Sequence, residues 1–498
     1  MKLKTIKKLC VVIPMILVMV SCSETFLEVE PKGTALEDNY YKNEAEAYAG
    51  LISIYDIMGF QSNGFENMLL FLNSGSDDHF TGGGGISDQA SSQVFSNYTI
   101  SPSTVGSSFW GLFYQGIFRA NTLILKLPDV DMAEVTKARF TAESKVLRAI
   151  YYFELVRLFK NIPLITTPLS TDEIYNVTQA DSNDVYAQIE TDLLEAIPNL
   201  PISLDLTNEA GRITKGAAKA LLGKVYLFQG KNSEAVAQLA EVNGTPGTTS
   251  SYGYKLLDDF SKLWEVDNNY HSESIIEIAF TDQSNGVWGD IGEGNTLNQY
   301  VGPRSFVRVG ANAPDYAGGW GFNIVTQSLR DAMLGDPRFD STIEDLQALS
   351  DAGEITYEPS YQNTGYFLKK FMPLKSEIST GGGNAELNFR QHTYMMRLAD
   401  TYLMEAEALG GSGDRAQALL DAVRSRVGLP SIPVSIDVIL NERRLELAGE
   451  GHRWYDLVRT GKAPAALASK GFTPGKNEIL PIPLAELENT KLVQNPNY

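Results

Sequence analysis

The sequence predicts a mostly α-helical protein, a scaffold of tetratricopeptide-like helix pairs carrying a large irregular, loop-rich face. Three observations lead there. Long stretches place apolar residues at helical spacing, two segments share the offsets of a helix pair, and residues 245–388 break the pattern with glycine, asparagine, serine and aromatics.

Taken in order, the chain begins with Lys2, Lys4, Lys7 and Lys8 ahead of an apolar run over 9–20. That run is too short to span a bilayer and has the flanks of a secretory leader. It leads into Met19-Val20-Ser21-Cys22, which resembles a bacterial lipobox, with Met19 where a leucine is usual. The expectation is a lipoprotein signal peptide over 1–21, cut before Cys22, whose thiol and new amine are then acylated. The second cysteine, Cys10, leaves with the leader. The mature chain then has no disulfide, no thiol nucleophile and no Cys-based zinc site. Residues 22–43 read as a lipidated tether.

Helical periodicity appears over 44–58, 109–127, 133–159, 184–197 and 438–449. In the third, Leu147, Tyr151, Leu155 and Leu158 share a face, and Pro198 and Pro201 stop the fourth. Leu222, Gly230 and Ala235 repeat their offsets in Leu403, Gly411 and Ala416. The glycine lets the chain reverse and the alanine lets two helices approach. Residues 275–280 read as a strand. The chain divides into a helical region over 44–244 and a second region over 245–498, intertwined with it as one globular unit.

The charge excludes some functions. With 41 Lys and Arg against 61 Asp and Glu, the net charge is −20, and losing the leader lysines makes it more acidic. Nucleic acid and anionic lipid headgroups would be repelled. The four histidines show no zinc spacing, and the glycine run 82–85 lacks the Gly-Lys-Ser/Thr of a phosphate cradle, so flexibility is its expected role. A structural calcium held by oxygens of the acidic loops is left open, without EF-hand spacing; no other cofactor is expected. Glu442, Arg443, Arg444, His452, Arg453, Trp454 and Asp456 invite a catalytic reading, but charges at helical spacing beside apolar residues fit an interhelical ion network better.

Several segments in order resemble one family. They are Cys22 with Phe26-Leu27; Trp110, Phe113, Tyr114, Ala120 and Asn121; Ala142-Glu143 with Leu147-Arg148-Ala149; and Ile162-Pro163-Leu164. They continue through Gly211-Arg212-Ile213-Thr214-Lys215-Gly216-Ala217-Ala218 and Gly335-Asp336-Pro337-Arg338 to a C-terminal block. That block holds Arg397-Leu398-Ala399-Asp400, Glu405-Ala406-Glu407, Glu442-Arg443-Arg444 and Gly451-His452-Arg453-Trp454-Tyr455-Asp456-Leu457. The chain resembles a SusD/RagB-type outer-membrane lipoprotein of the Bacteroidetes. The resemblance implies a non-enzymatic, surface-exposed protein, lipid-anchored in the outer membrane, that passes oligosaccharide or polysaccharide to a SusC-like TonB-dependent transporter. A peptide-binding member of the same family is the alternative, with a glycan hydrolase behind it.

For such a ligand Trp320 is the first candidate. It sits in Gly318-Gly319-Trp320-Gly321-Phe322, where small neighbours would leave the indole uncovered, and a sugar offers apolar C–H faces to an aromatic plane. Trp288, Tyr300 and Phe80 follow on the same logic. Asp77 and Asp78 are expected either to accept sugar hydroxyls or to cap the following turn. Being adjacent, they do not form the spaced carboxyl pair a glycosidase needs. Trp110, Trp264 and Trp454 are expected in the scaffold.

Overall fold

The structure, a computed structural model, describes residues 40–290 and 292–498. The leader, Cys22 and most of the tether lie outside the described residues. Among the described residues no helix is long and apolar enough to cross a membrane.

The first helices, α1 (Glu44–Asp56), α2 (Met68–Gly75), α3 (Ala90–Ser96), α4 (Ser108–Lys126), α5 (Glu134–Phe159) and α6 (Ser182–Ala196), surround the largest apolar core. Asn43 caps α1 by accepting from the Glu46 amide at 3.1 Å. The face of α5 read from the sequence is buried, and so is Arg148, which donates to Asp192 of α6 at 2.8 and 2.6 Å and to Asn121 of α4 at 2.6 Å. Neither α2 nor α3 is marked by a helical period. All eight residues of α2 are buried, so it has no polar face to reveal it.

The two segments with shared offsets are helix pairs, α7 (Lys215–Phe228) with α8 (Asn232–Asn243) and α10 (Leu398–Ala408) with α11 (Gly413–Arg426). Here α9 denotes the short helix Leu297–Val301 between them. Gly230 and Gly411 have φ +71° and +61°, the left-handed geometry the reversals need, and Ala235 and Ala416 are fully buried. The pairs stack through α8 on α10. Asn243 locks them, donating to Thr401 O and Glu405 and accepting from the Thr401 hydroxyl at 2.7 Å.

The strands among the described residues form four antiparallel ribbons of two. With β1 (His79–Gly82), β2 (Ser274–Ile278), β3 (Arg304–Arg308), β4 (Phe322–Val325), β5 (Ile343–Asp345), β6 (Ile355–Glu358), β7 (Tyr366–Leu368) and β8 (Thr393–Arg397), the pairs are β1–β4, β2–β8, β3–β6 and β5–β7. In the first, His79 faces Val325 and Gly82 faces Phe322. The glycine run is therefore no flexible spacer. Gly83 donates to Gly321 O and accepts from the Tyr361 amide, both at 2.8 Å, and a Cβ on Gly82 would stand 2.4 Å from Gly321 O.

The charged C-terminal residues form a buried network around α12 (Ile436–Glu446) and α13 (Arg453–Arg459). Arg397 uses all three guanidinium nitrogens. Nη1 binds Glu273 at 2.9 Å and Glu446 at 2.6 Å, Nε binds Glu450 at 2.9 Å, and Nη2 binds Glu446 O at 2.7 Å. Arg338 joins Glu442 and Glu446 at 2.7 and 2.8 Å, and Arg443 joins Asp400 and Asp456 at 2.6 and 2.8 Å. Buried charges are tolerable when each is paired and hydrogen-bonded, and these are. His452 is buried and held down to about 4 by that burial. A neutral imidazole packed in this network is a scaffold residue.

Candidate functional site

Three segments far apart in the sequence bring aromatic rings to one surface. Trp288 sits at the tip of a tight turn in which Val287 and Asp290 exchange backbone hydrogen bonds at 3.0 Å, with Gly289 at φ +93° supplying the reversal. Behind the turn, Gly286 and Gly292 meet so closely that a Cβ on Gly286 would lie 2.7 Å from the Gly292 nitrogen. Asn388, fully buried, pins the turn. It accepts from the Gly286 amide and the Ser284 hydroxyl, and donates to Gly286 O and Asn384 O, at 2.7–3.1 Å.

Trp320 is placed by backbone. Its amide donates to Gln299 O at 2.8 Å, Gly319 donates to Pro303 O and Gly321 to Gly302 O. A Cβ on Gly319 would stand 2.4 Å from Gln299 O. The glycines around Trp320 therefore serve close packing against the end of α9 as much as exposure of the ring, and the indole is half-buried. Its support is Tyr300, which is fully buried and meets the indole edge-on at 4.7 Å between ring centres. The Tyr300 hydroxyl accepts from Gln89 at 2.6 Å and donates to Phe65 O at 3.2 Å. Burial, with Asp88 nearby, pushes that phenol well above its ordinary range, so it stays protonated.

The rings then form a run. Phe65 stacks on Trp288 at 5.4 Å and 13°, and Trp288 stands 5.9 Å from Trp320 with the planes tilted 36°. Trp288 is 51% exposed and Phe65 38%. An apolar platform with Trp288 Nε1 held by Glu386 at 3.1 Å is the result. It presents flat ring faces bordered by a carboxylate, suited to a ligand with apolar faces and hydroxyl edges.

The structure thus groups Trp288, Trp320 and Tyr300, with Tyr300 beneath the surface as a support. Phe80 lies elsewhere, packed against the cluster that contains Tyr316, Ile324 and Phe367. Asp77 and Asp78 are engaged by arginines. Arg453 grips Asp77 with two hydrogen bonds at 2.8 Å, and Arg444 reaches Asp78 at 2.6 Å. Burial would raise the Asp77 carboxyl, but Arg453 holds it below the usual range. Asp78 is raised, by burial and by the charge of Asp77. These contacts replace the two roles expected from the sequence with a third, the closure of an ion pair between distant parts of the chain. Phe65, Glu386 and Asn388 are additions. Phe65 follows Gly64, the same glycine-aromatic juxtaposition that marks Trp320. Among the described residues no group of three or more His, Cys, Asp or Glu is arranged to hold a metal ion.

Comparison with known proteins supplies the family. Residues 272–498 match the model described as the SusD family, and residues 38–227 match one described as "Starch-binding associating with outer membrane". SusD-like protein P2 of Formosa agariphila is 27% identical over 521 residues, covering 98% of each chain. A SusD-like protein of Bacteroides ovatus is 25% identical over 473 residues, covering 91% of this chain and 82% of that one. Among solved structures, a laminarin binding SusD-like protein superposes with a TM-score of 0.91 at 60% identity, over 92% of this chain and 100% of the other. Surface glycan-binding protein A from Bacteroides thetaiotaomicron in complex with laminarihexaose gives 0.82 at 27% identity, over 91% and 100%. Matched at both ends by family models and along its described length by a 60% identical structure, the chain belongs to the SusD/RagB family.

Proposed function

We propose that this protein is a lipid-anchored glycan-binding protein of the outer membrane, that its ligand is a neutral glucan of the laminarin type, and that it delivers this to a SusC-like TonB-dependent transporter. The observation that carries the reading is the run Phe65, Trp288 and Trp320, two of them substantially exposed and all held by buried neighbours. Rings fixed before binding spare the ligand the entropy of ordering them. The names of the two solved relatives, one laminarin binding and one in complex with laminarihexaose, support the ligand class. The net charge of −20 favours a neutral polymer over a sulfated one. Binding rather than hydrolysis is supported by the descriptions of the solved relatives, which are of binding proteins. Cys22 is the proposed anchor.

The test is calorimetry of the purified protein against laminarin, starch and a sulfated glycan, repeated with Trp288→Ala and Trp320→Ala. Laminarin is expected to bind, the sulfated glycan not to, and each substitution to cost about 2 kcal/mol, roughly thirtyfold, as for an aromatic anchor at an interface. Tight binding of the sulfated glycan, or unchanged laminarin affinity in both variants, would overturn the reading.

A further inference from the structure

Helix α4 carries an apolar stripe that the rest of the described molecule leaves uncovered. Gly111, Phe118 and Leu125 follow one another at intervals of seven, the repeat that keeps side chains on one line of a helix. Phe118 is 50% exposed and Leu125 56%. Beside the first two lies a groove of about 360 Å³, walled by Trp110 and Phe118 of α4, by Ile174 and by Leu492. Ile174 is 53% exposed, so apolar surface continues across the groove. An apolar patch of this kind, rimmed by polar residues, marks a binding face.

Two features select what binds there. The first is Glu486, the one charged side chain among the described residues that wall the groove. Its carboxyl has no hydrogen-bond or ion-pair partner among the described residues, and burial raises it above the ordinary carboxylate range. Being half-buried, it stays open to an incoming group. Burial, Tyr152 and the Glu486 charge together push up the Tyr114 phenol, so the acid stands close to the α4 wall. Three donors on the same walls are spent on backbone carbonyls, all at 2.8 Å: the Tyr114 hydroxyl on Pro163 O, the Asn121 amide on Ile165 O and the Thr490 hydroxyl on Glu486 O. A cation is what the carboxylate lacks. The second feature is Gly111. It has ordinary helical geometry, and a Cβ there would meet nothing within 4 Å. No turn and no neighbour in the described molecule asks for glycine, which weakens a helix relative to alanine. Close approach by a second backbone does ask for it. From Gly111 to Leu125 is fourteen positions. At 1.5 Å each that is about 21 Å, the length of about four helical turns.

We propose that this face docks an amphipathic α-helix of a partner protein, laid along α4 with aliphatic side chains over Phe118 and Leu125 and a lysine or arginine on Glu486. It uses no residue of the aromatic platform and stands whether or not the platform binds glycan.

The test is fluorescence anisotropy of the purified protein with a labelled helical peptide of about fifteen residues, with leucines at a and d and one lysine beside the seam. Its twin carries glutamate in place of that lysine. The lysine peptide is expected to bind about tenfold more tightly than the twin. Glu486→Gln should erase that preference, and Phe118→Asp, at an exposed position, should abolish binding. Gly111→Leu is the strictest variant, because its side chain enters open space. The urea midpoint should hold or rise while peptide binding falls by about tenfold. Binding that survives Gly111→Leu, or a twin that binds as well as the lysine peptide, would overturn the site. So would binding of phosphatidylcholine vesicles but of neither peptide, which would make lipid the occupant. A dimer of this chain broken by Phe118→Asp would overturn it too, by making a second copy the occupant.

Discussion

The Arg397 network and the Trp288–Trp320 platform handle conspicuous side chains in opposite ways. The first takes charges into the interior and gives each a partner, so that Arg397 is satisfied at every nitrogen and only 1% exposed. The second leaves large rings on the surface and spends its buried groups, Asn388 and Tyr300, on holding them still. The dense, chemically suggestive block is scaffold. The scattered aromatics Phe65, Trp288 and Trp320, each close to a glycine, make the exposed platform.

That contrast fixes what substitutions should do. The largest effect is expected from Arg397→Leu, which strands Glu273, Glu446 and Glu450 in the interior and should cost about 3–5 kcal/mol in urea unfolding. Laminarin affinity of the folded fraction should not change; a fall in affinity without loss of stability would reverse the assignment of roles.

Acid should act on the interior next. Burial pushes the His79 and His452 imidazoles down to about 3 and about 4, from an ordinary 6.5. Between those values the unfolded chain binds more protons, so stability falls as pH drops below about 6.5. Burial alone would raise the Glu446 carboxyl, but Arg426, Arg397 and Arg338 hold it well below its ordinary 4.5. Its contribution is present above pH 4.5 and is lost as pH falls further. The urea midpoint should therefore be lower at pH 5 than at pH 7 and lower again at pH 4, and a midpoint that rises on acidification would refute this account.

On the platform side, Asn388→Ala frees the turn carrying Trp288 and leaves the Gly286 backbone groups short of partners, at about 1–3 kcal/mol. Laminarin affinity should drop by about tenfold while Trp320 fluorescence quenching by ligand persists. The smallest effect is expected from Glu386→Ala, which removes one exposed acceptor from the Trp288 indole and should weaken binding by about threefold, near 0.6 kcal/mol, with stability unchanged.

Parts of this were legible in the sequence for identifiable reasons. An amphipathic helix such as α6 announces itself because one face is wet, whereas α5, buried on nearly every side from Phe140 onward, is legible through its length and the spacing of its apolar residues. The helix-pair offsets are legible because a reversal needs glycine and a close crossing needs alanine, and Gly230, Gly411, Ala235 and Ala416 meet those needs. Helix α2 is hidden because burial on all sides erases its period. Ribbon β1–β4 and the Asp77–Arg453 pair are hidden because their partners are hundreds of residues away, and no local pattern encodes a distant partner. The same distance separates Phe65 from Trp288. Glycine beside an aromatic marks Trp320 and Trp288, but only the fold says that Phe65 joins Trp288 while Phe80 packs elsewhere.

The grip of Arg453 on Asp77 spans 376 positions, and Asn73 reaches as far, donating to Gly449 O and accepting from the Gly451 amide. These contacts have a consequence in time. An N-terminal region that leans on residues 449–453 cannot complete its native contacts until the last tenth of the chain has been made. This clasp therefore closes from the far end, after nearly all of the chain has been made.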